Sequence, residues 1–103
     1  MIHSVEVTGD GSAKTLAVWA AAAYSTSNQM RPAWIDVFAL TTNGGTARIG
    51  DTAKVTSLIG RPLVAGASQF FPAVSLPGGQ TYSLTNIGLY IANGDIVSLL
   101  WDA

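Results

Sequence analysis

The stretch AWIDVFAL, residues 33–40, carries the clearest strand pattern in the sequence. Successive side chains of a β-strand point to opposite faces of a sheet. One face of this stretch is uniformly apolar, which predicts that it faces a core, whereas the other face is mixed. The apolar face carries Ile35, Val37 and Ala39, and the mixed face carries Trp34, Asp36, Phe38 and Leu40.

The mixed face poses the first question about function. Asp36 stands between two aromatic side chains, and burying a carboxylate without a hydrogen-bond partner is costly. Two interpretations stay open. Either this face meets another protein surface, where Asp36 finds a donor, or a helix within residues 12–24 covers it.

Two Asn-Gly pairs, Asn43-Gly44 and Asn93-Gly94, follow strand-like stretches. Because both residue types tolerate a positive φ, Asn-Gly is a strong hairpin signal. We therefore predict two antiparallel hairpins. They pair residues 33–40 with 46–49, and residues 87–92 with 95–101.

Shorter strand patterns recur elsewhere between Gly- and Pro-containing turns, at residues 2–8, 63–64 and 68–74. Residues 2–8 place His3, Val5 and Val7 on one face, and Pro72 restricts residues 68–74 to an edge strand or a bulge.

Residues 12–24, SAKTLAVWAAAAY, favour a helix over a strand, because Ser12 can cap it and alanine is the best helix former. The predicted fold is mainly β: one domain, residues 1–103, forming a small antiparallel sandwich or barrel, jelly-roll-like, with one short helix near the N-terminus.

Composition indicates a binding protein. Of the 103 residues, 49% are hydrophobic and only 11% are charged, against roughly 25% charged in an average soluble domain. A small domain cannot bury so much apolar surface, so we expect a partner and self-association to cover part of it.

Several classes are not expected. The five Lys and Arg residues are scattered, which argues against nucleic-acid binding. We predict no membrane span, because the longest apolar run is far below the roughly 20 residues that one needs. A secretory signal is not expected either, and with no cysteine in the chain neither a disulfide nor a thiolate metal site is possible.

Catalytic motifs are not recognisable. His3 is the lone histidine, and the carboxylates show no paired or metal-binding spacing. We therefore predict a non-enzyme with no catalytic, cofactor or metal site.

Aromatic and charged side chains supply the candidate interface instead. Phe70 and Phe71 are adjacent in a strand pattern, so one is expected in the core and the other exposed. The candidates are Trp34, Asp36, Phe38, Arg48, Arg61, Phe70, Phe71 and Trp101.

Five short pieces of the C-terminal half carry a resemblance to a known family. They are RIGD at 48–51, GRPLVAGAS at 60–68, SLTNI at 83–87, LYIA at 89–92 and GDIVSLL at 94–100. In this order they resemble the small β-rich virion proteins of tailed phages, among them capsid decoration (cement) and head fibre proteins.

The resemblance implies a structural protein made in the host cytoplasm and carried on the capsid surface of the virion. Its partner would be the major capsid protein, whose shell it stabilises, and a trimer would be the preferred homo-oligomer. The alternative is a receptor- or sugar-binding module of the tail, neck or fibre, with Trp34, Tyr90 or Trp101 as a stacking platform.

Overall fold

The computed structural model describes residues 2–20, 32–51, 54–72 and 83–102. Within these ranges the chain forms eight strands and one five-residue helix. In chain order they are β1 Ile2–Thr8, β2 Ser12–Thr15, α1 Leu16–Ala20, β3 Trp34–Ala39, β4 Ala47–Asp51, β5 Arg61–Leu63, β6 Ser68–Phe71, β7 Ile87–Ile91 and β8 Ile96–Asp102.

The strands form two antiparallel sheets of four strands each. Sheet A has the order β1-β8-β3-β6, and sheet B has the order β2-β7-β4-β5. The pairing is nested, because β1 pairs with β8, β2 with β7, β3 with β6 and β4 with β5. This nesting is the strand order of a jelly roll. The prediction of a mainly β sandwich with one short helix is confirmed.

Both predicted hairpins are wrong, because the strands on either side of each Asn-Gly pair lie in different sheets. β3 pairs with β6 and β8, and β4 pairs with β5 and β7. Likewise β7 belongs to sheet B and β8 to sheet A.

The second turn shows why. The Asp95 amide donates to the Ala92 carbonyl at 3.0 Å, and only Gly94 of the two central residues has a positive φ, at 84°. This is a type II turn, whose twist splays the flanking strands instead of pairing them.

The helix is shorter than predicted. Residues 12–15 are strand β2, which pairs with β7, and the predicted residues 21–24 lie outside the described ranges. The cap is Thr15, whose Oγ1 accepts a hydrogen bond from the Val18 amide at 3.1 Å. Ser12 instead donates its hydroxyl to Asp10 in the preceding turn.

The core lies between the sheets and follows the strand alternation. Ile35, Val37 and Ala39 are fully buried, as predicted from residues 33–40. Their cross-strand partners in β8 are equally buried: Val97, Leu99 and Trp101. Sheet B contributes Ala47, Ile49, Leu63, Leu89 and Ile91.

Edge strands also follow the sequence. β6 ends at Phe71, directly before Pro72, and forms one edge of sheet A. The prediction that Pro72 restricts this strand to an edge is confirmed, and the predicted residues 73–74 lie outside the described ranges.

Candidate functional site

The outer face of sheet A carries a cluster of large apolar side chains. Phe70 is 52% exposed and Ile2 is 62% exposed, while the other members are half-buried. We call this surface the aromatic face. Its apolar members are Ile2 of β1, Trp34 and Phe38 of β3, Phe70 of β6 and Leu100 of β8.

Trp34 and Phe70 are in contact across the β3–β6 pair. Their ring centroids are 6.1 Å apart and the ring planes are tilted by 47°. This tilted arrangement is one that aromatic pairs favour.

Carboxylates are interleaved with these apolar groups by the strand register. Asp36 lies between Phe70 on one neighbouring strand and Leu100 on the other. In the same way Asp102 lies between Ile2 and Trp34. Each of these two carboxylates is therefore flanked by apolar side chains on both neighbouring strands.

The ionisable side chains that the strands of sheet A place on this surface are all acidic. Glu6 of β1 joins Asp36 and Asp102 on the outer face, and none of the four strands of sheet A contains a lysine or arginine. A partner that removes this face from water must therefore supply hydrogen-bond donors to Asp36 and Glu6.

The described helix does not cover the aromatic face. α1 packs chiefly against β1, β2 and β7. Leu16, Trp19 and Ala20 are buried there, and the Trp19 indole Nε1–H donates to the Leu89 carbonyl at 2.8 Å. Of the two interpretations of the mixed strand face, covering by this helix does not apply to the described residues.

Four of the predicted candidates share the aromatic face, and four lie elsewhere. Trp34, Asp36, Phe38 and Phe70 come together there, as the alternation of β3 indicated. Phe71 points between the sheets and packs against the core, so the prediction that Phe70 and Phe71 separate is confirmed.

Arg48 holds a loop of its own chain. It lies on the outer face of sheet B, where its Nε donates to the Ser57 carbonyl and its Nη1 to the Gly60 carbonyl, both at 3.1 Å. Arg61 begins β5 and is exposed. Neither arginine reaches the aromatic face from sheet B.

Trp101 is a core residue. Its side chain is 0% exposed, and its ring centroid is 5.6 Å from that of His3, which is also buried. The prediction that Trp101 lies in the interface is therefore wrong, because its inward position on β8 keeps it out of reach of a partner.

Sequence reasoning missed Ile2, Glu6, Leu100 and Asp102 as members of this surface. Alternation along β1 and β8 places them on one side of their own strands. The sequence does not show which strands pair, and only the strand order β1-β8-β3 brings these residues beside Trp34 and Asp36.

Asp10 has the clearest electrostatic perturbation. The Lys14 ammonium donates to its Oδ2 at 2.6 Å, and this bond, with a second from the Ser12 hydroxyl, lowers the pKa of Asp10 from 3.8 to about 2. Lys14 also lies 4.5 Å from the centroid of the Trp19 ring. These contacts secure the turn between β1 and β2.

Metal chemistry has no evident ligand set. In the part of the chain that the structure describes, no three His, Asp or Glu side chains are close enough to hold an ion.

No helix among the described residues is long and apolar enough to cross a membrane.

Fold and surface together define a jelly-roll β-sandwich whose sheet A presents an aromatic and acidic outer face. Comparison with known proteins found no matching family model, no matching curated protein and no matching solved structure.

Proposed function

We propose that this protein acts by binding and not by catalysis, and that it docks its aromatic face against a protein assembly. The observation that carries this proposal is the alternation of aromatic rings and carboxylates around Trp34, Asp36 and Phe70, with Phe70 exposed and Trp34 half-buried. A stable interface needs a central apolar cluster with polar groups that fix the register, and this face supplies both.

The partner surface must be complementary to this pattern. It presents arginine or lysine side chains that reach Asp36 and Glu6, set among apolar groups that receive the rings. Charge-assisted hydrogen bonds of this kind orient the contact. Each large side chain fully removed from water contributes on the order of 1.5–3 kcal/mol.

The assembly that we propose is the shell of a tailed-phage head, with the major capsid protein as the direct partner. Support for this choice is the resemblance of residues 48–100 to small virion proteins. A repeating shell needs only modest affinity at each position when the docked protein is itself an oligomer, because a second contact then forms at high effective concentration. We propose a homo-oligomer, with a trimer preferred by the same resemblance.

The alternative is a receptor- or sugar-binding module that stacks a ligand on Trp34, Tyr90 or Trp101. These three rings do not share a surface. Trp34 lies on the outer face of sheet A, Tyr90 lies opposite Arg48 on sheet B, and Trp101 is in the core. This separation favours protein docking over a single stacking platform.

The test uses particles purified from cells that make the protein. The amount of this protein per copy of the major shell protein is measured by quantitative mass spectrometry, for the native chain and for Trp34→Ala/Phe38→Ala. We expect the native chain at a fixed lattice ratio and the variant at a much lower one. Full occupancy by the folded variant, or absence of the native chain from particles, would contradict the proposal.

Self-association has its own measurement. Sedimentation velocity of the isolated protein is expected to show a discrete oligomer whose population rises with concentration. A monomer that persists at the highest soluble concentration would contradict the oligomer.

A further inference from the structure

A cavity opens between the two sheets, on the side opposite the β1–β2 edge. Its volume is about 400 Å³, within the range of roughly 300–1,000 Å³ that small-molecule sites occupy. It lies where β4 ends, β5 begins and β6 ends. Polar and apolar groups converge on it: Asp51, Arg61, Gln69, Phe71, Asn86 and Ile87.

Three of these polar side chains occupy positions that face between the sheets. Asp51 lies opposite Ile87 in the register. Arg61 lies opposite the buried Ile49, and Gln69 lies opposite the buried Val37. Of the three, Gln69 is half-buried, whereas Asp51 and Arg61 are exposed to solvent at the edge of the cavity.

Arg61 and Asn86 have side chains that the fold itself does not use. Within the described part of the chain, neither side chain makes a hydrogen bond or an ion pair. Gln69 makes only a long local bond, from Nε2 to the Phe70 carbonyl at 3.3 Å. Their donors and acceptors therefore remain for a ligand.

The chemistry of the lining indicates the ligand class. One guanidinium and one carboxylate cancel in charge, so the site has no preference for a net anion or cation. Two carboxamides offer donors and acceptors together. Phe71 and Ile87 supply an apolar wall, and an uncharged molecule with hydroxyl groups on its edge and an apolar face matches this set.

We propose that this cavity binds a neutral sugar ring, with its hydroxyls on Arg61, Gln69 and Asn86 and its apolar face on Phe71. The site lies between the sheets, whereas the aromatic face lies outside sheet A. The inference therefore stands or fails independently of the proposed docking function.

The test is a chemical-shift titration of the ¹⁵N-labelled protein with glucose, galactose, mannose and N-acetylglucosamine in turn. We expect at least one of them to shift the amides of Arg61, Gln69 and Ile87 in a saturable manner. Glycine is titrated in parallel, because a zwitterion would also suit one guanidinium and one carboxylate. If only glycine shifts these amides, or no probe does, the proposal is overturned.

Matched variants locate the binding. Gln69→Ala and Asn86→Ala each remove an amide from the cavity, and Ser68→Ala changes the neighbouring exposed residue, which points to the opposite face of β6. We expect a bound sugar to be held at least about tenfold more weakly by the first two variants, the loss that 1.4 kcal/mol represents, and equally by Ser68→Ala. Equal binding by all three would place the sugar elsewhere and overturn the proposal.

Discussion

The side-chain amide of Asn43 pairs with the backbone of Ile96 in both directions. Nδ2 donates to the Ile96 carbonyl and Oδ1 accepts from the Ile96 amide, each at 2.8 Å. The Leu40 amide donates to the same carbonyl at 3.2 Å. The carboxamide therefore extends the β3–β8 ladder past the end of β3, and it ties the connection between the sheets to the start of β8.

Asn43→Ala should destabilise the fold by about 1–3 kcal/mol, since it removes two hydrogen bonds and leaves the Ile96 amide without its side-chain acceptor, while the Ile96 carbonyl keeps the bond from Leu40. Urea unfolding measures the loss. The control is Asn93→Ala in the other Asn-Gly turn, where the side chain is exposed and a change within about 0.5 kcal/mol is expected. Equal losses for the two variants would remove the special role of Asn43.

Gly9→Ala should cost more than an ordinary loop substitution. A Cβ at Gly9 would lie 2.3 Å from the Ala92 carbonyl oxygen and 2.4 Å from Ile91 Cγ2. Backbone must move to relieve these contacts, at a cost of about 1–3 kcal/mol.

Gly44→Ala is the matched control for Gly9→Ala. A Cβ at Gly44 meets nothing within 4 Å, and Gly44 has no positive φ. We expect a neutral result or a gain of up to about 1 kcal/mol, because alanine restricts the unfolded chain. Thermal unfolding compares the two variants, and a Gly9→Ala protein as stable as Gly44→Ala would contradict the close packing of these loops.

The Asp10 carboxylate should titrate abnormally. Its bond from Lys14, and secondly that from Ser12, lowers its pKa to about 2. Because the folded pKa lies below the ordinary 3.8, this group stabilises the fold above pH 3.8, and that contribution is lost as the pH falls from 3.8 through about 2.

Lys14→Met tests this assignment. The side-chain carboxyl resonance of Asp10, followed by NMR against pH, should show a higher pKa in Lys14→Met than in the native protein, though the Ser12 bond keeps it from the full ordinary value. Lys54→Met removes an exposed lysine and should leave the titration unchanged. An unchanged Asp10 midpoint in Lys14→Met would refute the ion pair as the main cause.

Alanine substitution in the core should lower the stability of the fold more than alanine substitution on the aromatic face. Trp101→Ala empties a fully buried site and is expected to cost about 3–5 kcal/mol. Phe70→Ala, at a residue 52% exposed, should cost less than half as much, because about half of its surface stays in water in the isolated chain. Chemical unfolding of both variants checks this order, and a larger loss for Phe70→Ala would reassign Phe70 to the core.

The alternation of apolar and polar residues predicted which side chains face the core, but it could not predict which strands pair. Residues 33–40 already showed which side chains of β3 face the core, since that depends only on period two. The hairpin predictions were wrong because Asn-Gly is compatible with more than one turn type. Of the four residues in the two Asn-Gly pairs, only Gly94 has a positive φ, and the Asn43 side chain binds the backbone of Ile96.

The candidate site was half predictable for the same reason. Trp34, Asp36 and Phe38 lie on one strand, so alternation alone groups them. Leu100 and Phe70 join them through long-range register, and no local pattern shows that Asp36 lies between the two. The cavity was not predicted, because Asp51, Arg61 and Gln69 come from three strands in two sheets.

The most direct test of the docking proposal compares two double variants in purified particles. Trp34→Ser/Phe70→Ser alters the aromatic face, and Leu58→Ser/Val64→Ser alters two side chains outside it that are 82% and 56% exposed. The measurement is the number of copies of this protein per copy of the major shell protein, with folding of both variants verified by circular dichroism. We predict a loss of occupancy for Trp34→Ser/Phe70→Ser alone, because interface energy concentrates in a few aromatic anchors. Native occupancy for that variant, or an equal loss for Leu58→Ser/Val64→Ser, would contradict the proposal that the aromatic face is the docking surface.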